Sequence, residues 1–252
     1  MPETKAPARP FLTRLWGVLR EALSALREGR LLDFLEQRWV YRFGSRSRLF
    51  SYHYEKNTWG SEESVSGPGS TLQYTESIRR ELPGLVAELG VSRILDAPCG
   101  DYNWFGHIAW RGEIDYIGGD IVEALVERNR SRHGGPRVKF VPLDIVRGPL
   151  PAADLWLCRD CLIHLSNREA LLAVDAFLRS EIPYLLTATY PECRRNDDIV
   201  TGAFRELNLL LPPFGFPPPR RTLEDWIEGY PVRQLGLWKR EELRDALASK
   251  SR

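Results

Sequence analysis

The sequence predicts an α/β fold, a mostly parallel sheet with helices on both faces, and three observations carry that prediction. Short apolar runs alternate with helix-period segments from Ser92 to Tyr190. Three of those runs close on a carboxylate, at Asp96, Asp120 and Asp144. The first of them, in ILDAPCGDYNWF, passes straight into a turn of small residues. Strands joined through helices run parallel, and such sheets bind ligands at their carboxyl edge, where the strand order reverses.

The elements follow in order. From Phe11 to Phe43 the apolar residues Leu12, Leu15, Trp16, Leu19, Leu23 and Leu26, then Leu31, Leu32, Phe34, Leu35 and Trp39, recur at three- and four-residue steps. Gly29 divides this stretch into two helices. Its polar positions favour arginine (Arg14, Arg20, Arg27, Arg30, Arg38, Arg42), so the segment reads as packing on its own domain, lidding a cleft, or meeting a membrane surface or another protein weakly. Ser45 to Ser70 is polar and turn-rich, and Thr71 to Leu89 reads as a helix capped by Ser70 or Thr71.

Strands are then expected at 93–97, 115–120, 138–144, 154–159 and 184–190, with helices at 104–109, 122–132 and 168–179. Beyond Tyr190 the alternation fails, and Phe204 to Leu211 and Val232 to Trp238 are the candidates for the last two strands. The organisation expected is an N-terminal amphipathic helical segment (1–45), a lid or linker with a leading helix (46–91) and a ligand-binding domain (92–252).

Bulk properties narrow the function. A chain of 252 residues with 43% hydrophobic residues can bury one substantial core. Its formal net charge of +1 gives no global reason to expect a nucleic-acid partner. The few cysteines, Cys99, Cys158, Cys161 and Cys193, fit reduced thiols in a cytoplasmic protein. The lone CxxC at Cys158 and Cys161 has no second pair, so no metal site is expected.

Successive strand-end carboxylates are suited to a nucleoside cofactor, with Asp120 placed to accept from both ribose hydroxyls. Beyond that, the stretch from about Trp59 to Trp238 resembles the class I S-adenosylmethionine-dependent methyltransferases. It is most similar to a poorly characterised bacterial-type group carrying DAPCGD and RDCLxHLS motifs, present here as LDAPCGDYNW and RDCLIHLS. SGPGS upstream and NDDIVTGAFRELNLLLPPF downstream belong to the same resemblance. It implies a Rossmann-like class I methyltransferase fold with a seven-stranded sheet, S-adenosyl-L-methionine as cofactor, and transfer to an oxygen or nitrogen of a small-molecule or glycan-type acceptor. The chain departs from the usual glycine-rich loop in having Pro98, Gly100 and Tyr102, of which only Gly100 keeps the pattern.

By this resemblance Asp96, Ala97, Pro98, Cys99 and Gly100 lie near the methionyl end of the cofactor. Asp120 with Ile121 would take the ribose, and Asp144 with Ile145 the adenine. Trp59 and Trp104 offer aromatic faces to a cation, while Gly67, Gly69 and Ser70 offer donors to the cofactor carboxylate. Arg159 would bind an anion or pair with Asp160. If CRDCLIHLS begins a helical turn, Asp160 and His164 share a face and could deprotonate an acceptor. Asn196, Asp197, Asp198, Arg205 and Asn208 are the candidate wall of the acceptor pocket. The same sheet would also serve a nicotinamide oxidoreductase, against which stands the missing GxGxxG, or a non-catalytic binding protein.

Overall fold

A computed structural model describes residues 11–250 of the chain, which divide into two compact units, 11–45 and 46–250. In the first, α1 (Phe11–Arg27) and α2 (Leu31–Phe43) are separated at Gly29, whose φ of +70° suits glycine. Trp16, Leu19, Leu23 and Leu26 on α1, and Leu32, Leu35, Trp39 and Phe43 on α2, are exposed. The side chains of Leu12, Arg14 and Leu15 lie outside the described residues. Among the described residues no helix is long and apolar enough to cross a membrane.

The second unit opens with α3 (Arg46–Lys56), inside the stretch expected to be turns, and continues with α4 (Glu76–Leu89). Helix α4 begins later than the sequence suggested. The Thr71 hydroxyl donates to the Pro68 carbonyl and accepts from the Tyr74 amide, so it closes a turn before the helix instead of capping it.

The sheet consists of β1 (Arg93–Asp96), β2 (Asp115–Asp120), β3 (Val138–Pro142), β4 (Leu155–Cys158), β5 (Tyr184–Thr189), β6 (Arg221–Glu224) and β7 (Gln234–Lys239). Their spatial order is β3-β2-β1-β4-β5-β7-β6. Strands β1 to β5 pair in parallel, and β7 runs antiparallel to both β5 and β6. Together with α5 (Glu123–His133), α6 (Asn167–Arg179) and α7 (Arg240–Lys250), this is the Rossmann-like methyltransferase fold.

Alternating side chains load both faces of the central strands, as a sheet covered twice requires. Ile94, Leu155, Leu157 and Leu186 meet Ile78, Leu82 and Val86 of α4 and Val126 of α5. Leu95, Trp156 and Leu185 meet Ala173, Val174 and Phe177 of α6 and Leu243 of α7.

Two expected elements are absent. Residues 104–109 form only a 3-10 turn, Phe105–His107, with Trp104, Phe105 and Ile108 buried. Residues 204–211 are irregular, and the sixth strand is Arg221–Glu224. The reason lies in two asparagines. Asn196 Nδ2 donates to the carbonyls of Asn208, Leu211 and Pro212, and the Asn208 amide donates to Asn196 Oδ1, so side chains satisfy backbone groups that a strand would use.

Trp156 is the test of this core. Its ring is buried between strands and α6, and its indole N–H donates to the Ala97 carbonyl at 2.9 Å. Trp156→Ala is expected to lower the unfolding free energy by roughly 3–5 kcal/mol, measured by urea denaturation. Leu172→Ala, on the exposed side of α6, should change it by less than about 0.5 kcal/mol.

Candidate active site

At the carboxyl edge, where the order reverses between β1 and β4, a cavity of about 440 Å³ opens. Every cofactor or catalytic candidate named from the motifs reaches it except one. Asp96, Pro98, Cys99, Gly100, Trp104, Asp120, Ile121, Asp144, Ile145, Arg159, Asp160 and His164 line it, as do Trp59, Gly67, Gly69 and Ser70. Ala97 does not line it. It is a buried link whose N–H donates to the Leu157 carbonyl and whose carbonyl receives Trp156.

Asp96 and Asp120 are buried carboxyls without an ion pair among the described residues. Burial pushes Asp96 up to about 7, although the Tyr116 hydroxyl, donating to it at 2.8 Å, and nearby Arg159 pull the other way. Burial likewise lifts Asp120 to about 6, opposed by amide donors that include Val122 at 3.0 Å and Gly100 at 3.1 Å. Asp144 is neutralised by Arg46, which donates to it at 2.6 Å and to Glu169 at the same distance.

The loop after β1 is held by the segment before α4. Asp101 accepts from the Ser64 hydroxyl at 2.9 Å and the Val65 amide at 3.0 Å, and its own amide donates to Ser66 Oγ. A Cβ on Gly100, at φ +54°, would run into that same Ser66 hydroxyl, so only glycine lets the two segments meet. A Cβ on Gly69 would stand 2.8 Å from Asp160 Oδ2, which brings the Pro68–Ser70 turn against the end of β4.

Sequence reasoning missed the partners of that strand end. Arg159 donates twice to Asp225, at 3.0 and 2.8 Å, and once to the Gly69 carbonyl at 2.6 Å. Arg233 pairs with Asp225 at 2.9 Å and also bonds Asp160. Two guanidinium groups and two carboxylates are thereby closed into a neutral cluster, with Arg159 over the Trp104 ring at 5.3 Å and Arg233 over Tyr74 at 4.9 Å. Arg159 is thus a structural ion, and Trp104 already carries its guanidinium. Asp225 and Arg233 come from the β6–β7 connection, where no motif marked them.

Asp160 sits at φ +52°, a backbone strain of the kind that collects at functional sites. Burial would raise its pKa, but Arg233 and Arg159 outweigh that and hold it below the usual carboxylate value. It and His164 are brought together, although on a 3-10 turn, Leu162–His164, in place of an α-helical one. His164 Nδ1 lies 2.9 Å from the Ala203 carbonyl and must donate to it, leaving Nε2 with a free lone pair. Burial lowers its pKa, so the ring is neutral at pH 7.

The expected polar wall after β5 is corrected. Asn196, Asp197, Asp198, Arg205 and Asn208 are absent from the cavity lining. Asn196 and Asn208 brace the loop, and Asp198 caps α6 at the Asn167 amide. The wall is aromatic instead, formed by Tyr190, Phe204 and Tyr230 with Tyr74.

No family model and no curated protein matches the sequence. Solved structures do. PigF with SAH aligns at a TM-score of 0.56 and 17% identity, over 91% of this chain and 70% of that one. Magnesium protoporphyrin IX methyltransferase from Synechocystis PCC 6803 with bound SAH aligns at 0.51 and 15%, over 81% and 98%. Similarity at this level establishes the fold these methyltransferases share with the chain.

Asp96 makes the ligand-free protein pH-sensitive. Its pKa rises from 3.8 to about 7 on folding, so its contribution to stability is present below pH 4 and lost as the pH climbs through 7. Asp96→Asn is expected to remove a slope of about 1 kcal/mol per pH unit across that window, read from urea midpoints at successive pH values.

Proposed function

We propose that the protein is an S-adenosyl-L-methionine-dependent methyltransferase acting on an oxygen of a small molecule. The observation that carries this reading is the pair of buried carboxyls, Asp96 and Asp120, facing one cavity without a cation. A ligand bearing an ammonium and a vicinal diol supplies what each lacks. Asp96 would ionise against the methionyl ammonium, Asp120 would accept from the ribose hydroxyls, and Ile121 and Ile145 would flank the adenine near Asp144. The Gly67–Ser70 turn would receive the carboxylate, and Gly100 allows close backbone approach.

When bound, the cofactor supplies an electrophilic methyl group on a sulfonium. The chain's own contribution is chiefly to hold an acceptor oxygen in line with that carbon. His164 Nε2 would take the proton of the acceptor hydroxyl when the methyl carbon passes from sulfur to oxygen, and the Ala203 carbonyl keeps the ring in the required tautomer. Asp160 is ionised before the reaction and steadies the imidazolium that results. It is a poorer base than His164 because two arginines already claim its charge.

Calorimetry with S-adenosylhomocysteine tests the cofactor half. Asp120→Ala is expected to abolish measurable affinity while the protein stays folded by circular dichroism, and retained binding overturns the assignment. His164→Gln tests the acceptor half. Transfer of labelled methyl to an accepted hydroxyl compound should fall by about 10²–10⁴, with affinity for S-adenosylhomocysteine unchanged.

A further inference from the structure

The acceptor half of the cavity has a chemistry of its own. Its wall is a run of rings in mutual contact: Trp59 to His164 at 6.1 Å, His164 to Phe204 at 5.9 Å and Phe204 to Tyr190 at 6.4 Å between centroids. A second group, Tyr74 edge-on to Tyr230 at 5.2 Å, continues it beneath the Arg233 guanidinium. Phe204 and Tyr230 leave about half their surface to water at 55% and 45% exposure, in a chain whose other rings of this unit are largely covered. All of these side chains line the cavity.

Charge there is cancelled. Arg159 and Arg233 are matched by Asp160 and Asp225 at ion-pair distance. A phosphate or carboxylate on the acceptor would meet guanidinium charge that two carboxylates already balance, although Arg233 Nη2 itself has no hydrogen-bond partner among the described residues, and an ammonium would find both carboxylates ion-paired. A sugar would meet ring faces on one side, and the charged side chains there are largely engaged with one another or the backbone. With Nδ1 donating to the Ala203 carbonyl, the imidazole Nε2 of His164 is an acceptor for a hydroxyl.

We infer that the methyl acceptor is a neutral, flat aromatic molecule bearing a hydroxyl, a phenol-class compound stacked against the Trp59–His164–Phe204–Tyr190 wall with its oxygen at His164 Nε2. This rests on the function proposed above and narrows it from small molecules in general to one class. Rings meeting at offset and edge-on angles gain from their quadrupoles beyond the area they bury. A flat acceptor also loses little conformational freedom on binding.

The test uses the full chain saturated with S-adenosylhomocysteine and four probes of known chemistry: naphthol, naphthoate, naphthylmethylammonium and methyl glucoside. Calorimetry should show naphthol bound at least about tenfold more tightly than the other three. Phe204→Ala and Tyr230→Ala should each weaken naphthol by about tenfold and leave S-adenosylhomocysteine affinity unchanged. With labelled S-adenosylmethionine, naphthol should become methylated at oxygen. Tighter binding of naphthoate, the ammonium or the glucoside, or binding of none, overturns the acceptor class while the cofactor reading stands. Failure of S-adenosylhomocysteine to bind in the first place overturns the cofactor reading itself.

Discussion

The site depends on the bidentate pairing of Arg159 with Asp225. Arg159 is the residue that follows β4, and Asp225 follows β6, so the two hydrogen bonds tie the centre of the sheet to its far edge. Their side chains are 3% and 0% exposed, which makes separation expensive: a buried ion deprived of its partner costs on the order of 3–5 kcal/mol. The β6–β7 connection therefore cannot drift from the cavity without stranding a charge. Arg233 joins the same Asp225, and through Arg233 the constraint reaches Asp160, Tyr74 and Tyr230. One pair thus fixes the acceptor side of the cavity from two directions.

The two halves of the cavity handle charge in opposite ways. On the β1 and β2 side, Asp96 and Asp120 are buried without an ion pair among the described residues and sit at about 7 and about 6. On the β4 side, Asp160 is only partly buried, and two arginines drive it down against its desolvation. Desolvation acts upward on all three, so direct ion-pair contact with guanidinium decides the sign. A carboxyl left undercompensated at a cavity wall is poised for a ligand's positive charge, and one already compensated is poised to organise its neighbours. The proposed division between a charged cofactor and an uncharged acceptor rests on that contrast.

Much of this was legible in the sequence, for a local reason. A strand buried on both faces has to read as a short apolar run, and its end has to turn, so Asp96, Asp120 and Asp144 announced a common edge before any coordinates did. Gly29 marked a helix break by the same local logic. What failed was non-local. Asp225 and Arg233 are ordinary residues in a polar stretch, and only the antiparallel return of β7 beside β5 carries them to Arg159. Phe204 to Leu211 has the apolar content of a strand, but Asn196 satisfies the backbone around it, an effect spanning more than ten residues. Asn196 and Asn208 looked like pocket residues because polar density in a loop resembles a binding wall, whereas here they brace the chain.

The assignment of roles at the end of β4 follows from electrostatics acting on two neighbours. For His164 to accept a proton it must become a cation in a buried site, and burial together with Arg233 and Arg205 opposes this. The Ala203 carbonyl and the Asp160 carboxylate favour it. The balance leaves the ring neutral at rest and gives it a charged partner when a proton arrives, which is the arrangement a transient base requires. Exchanging the roles fails on the same ledger of charges: Asp160 would have to give up two arginine contacts to bind a proton, and its strained backbone already holds it facing them. Neutral imidazole beside a locked carboxylate also adds no net field for an ionic acceptor to follow, so selection falls to the shape and polarisability of the surrounding rings.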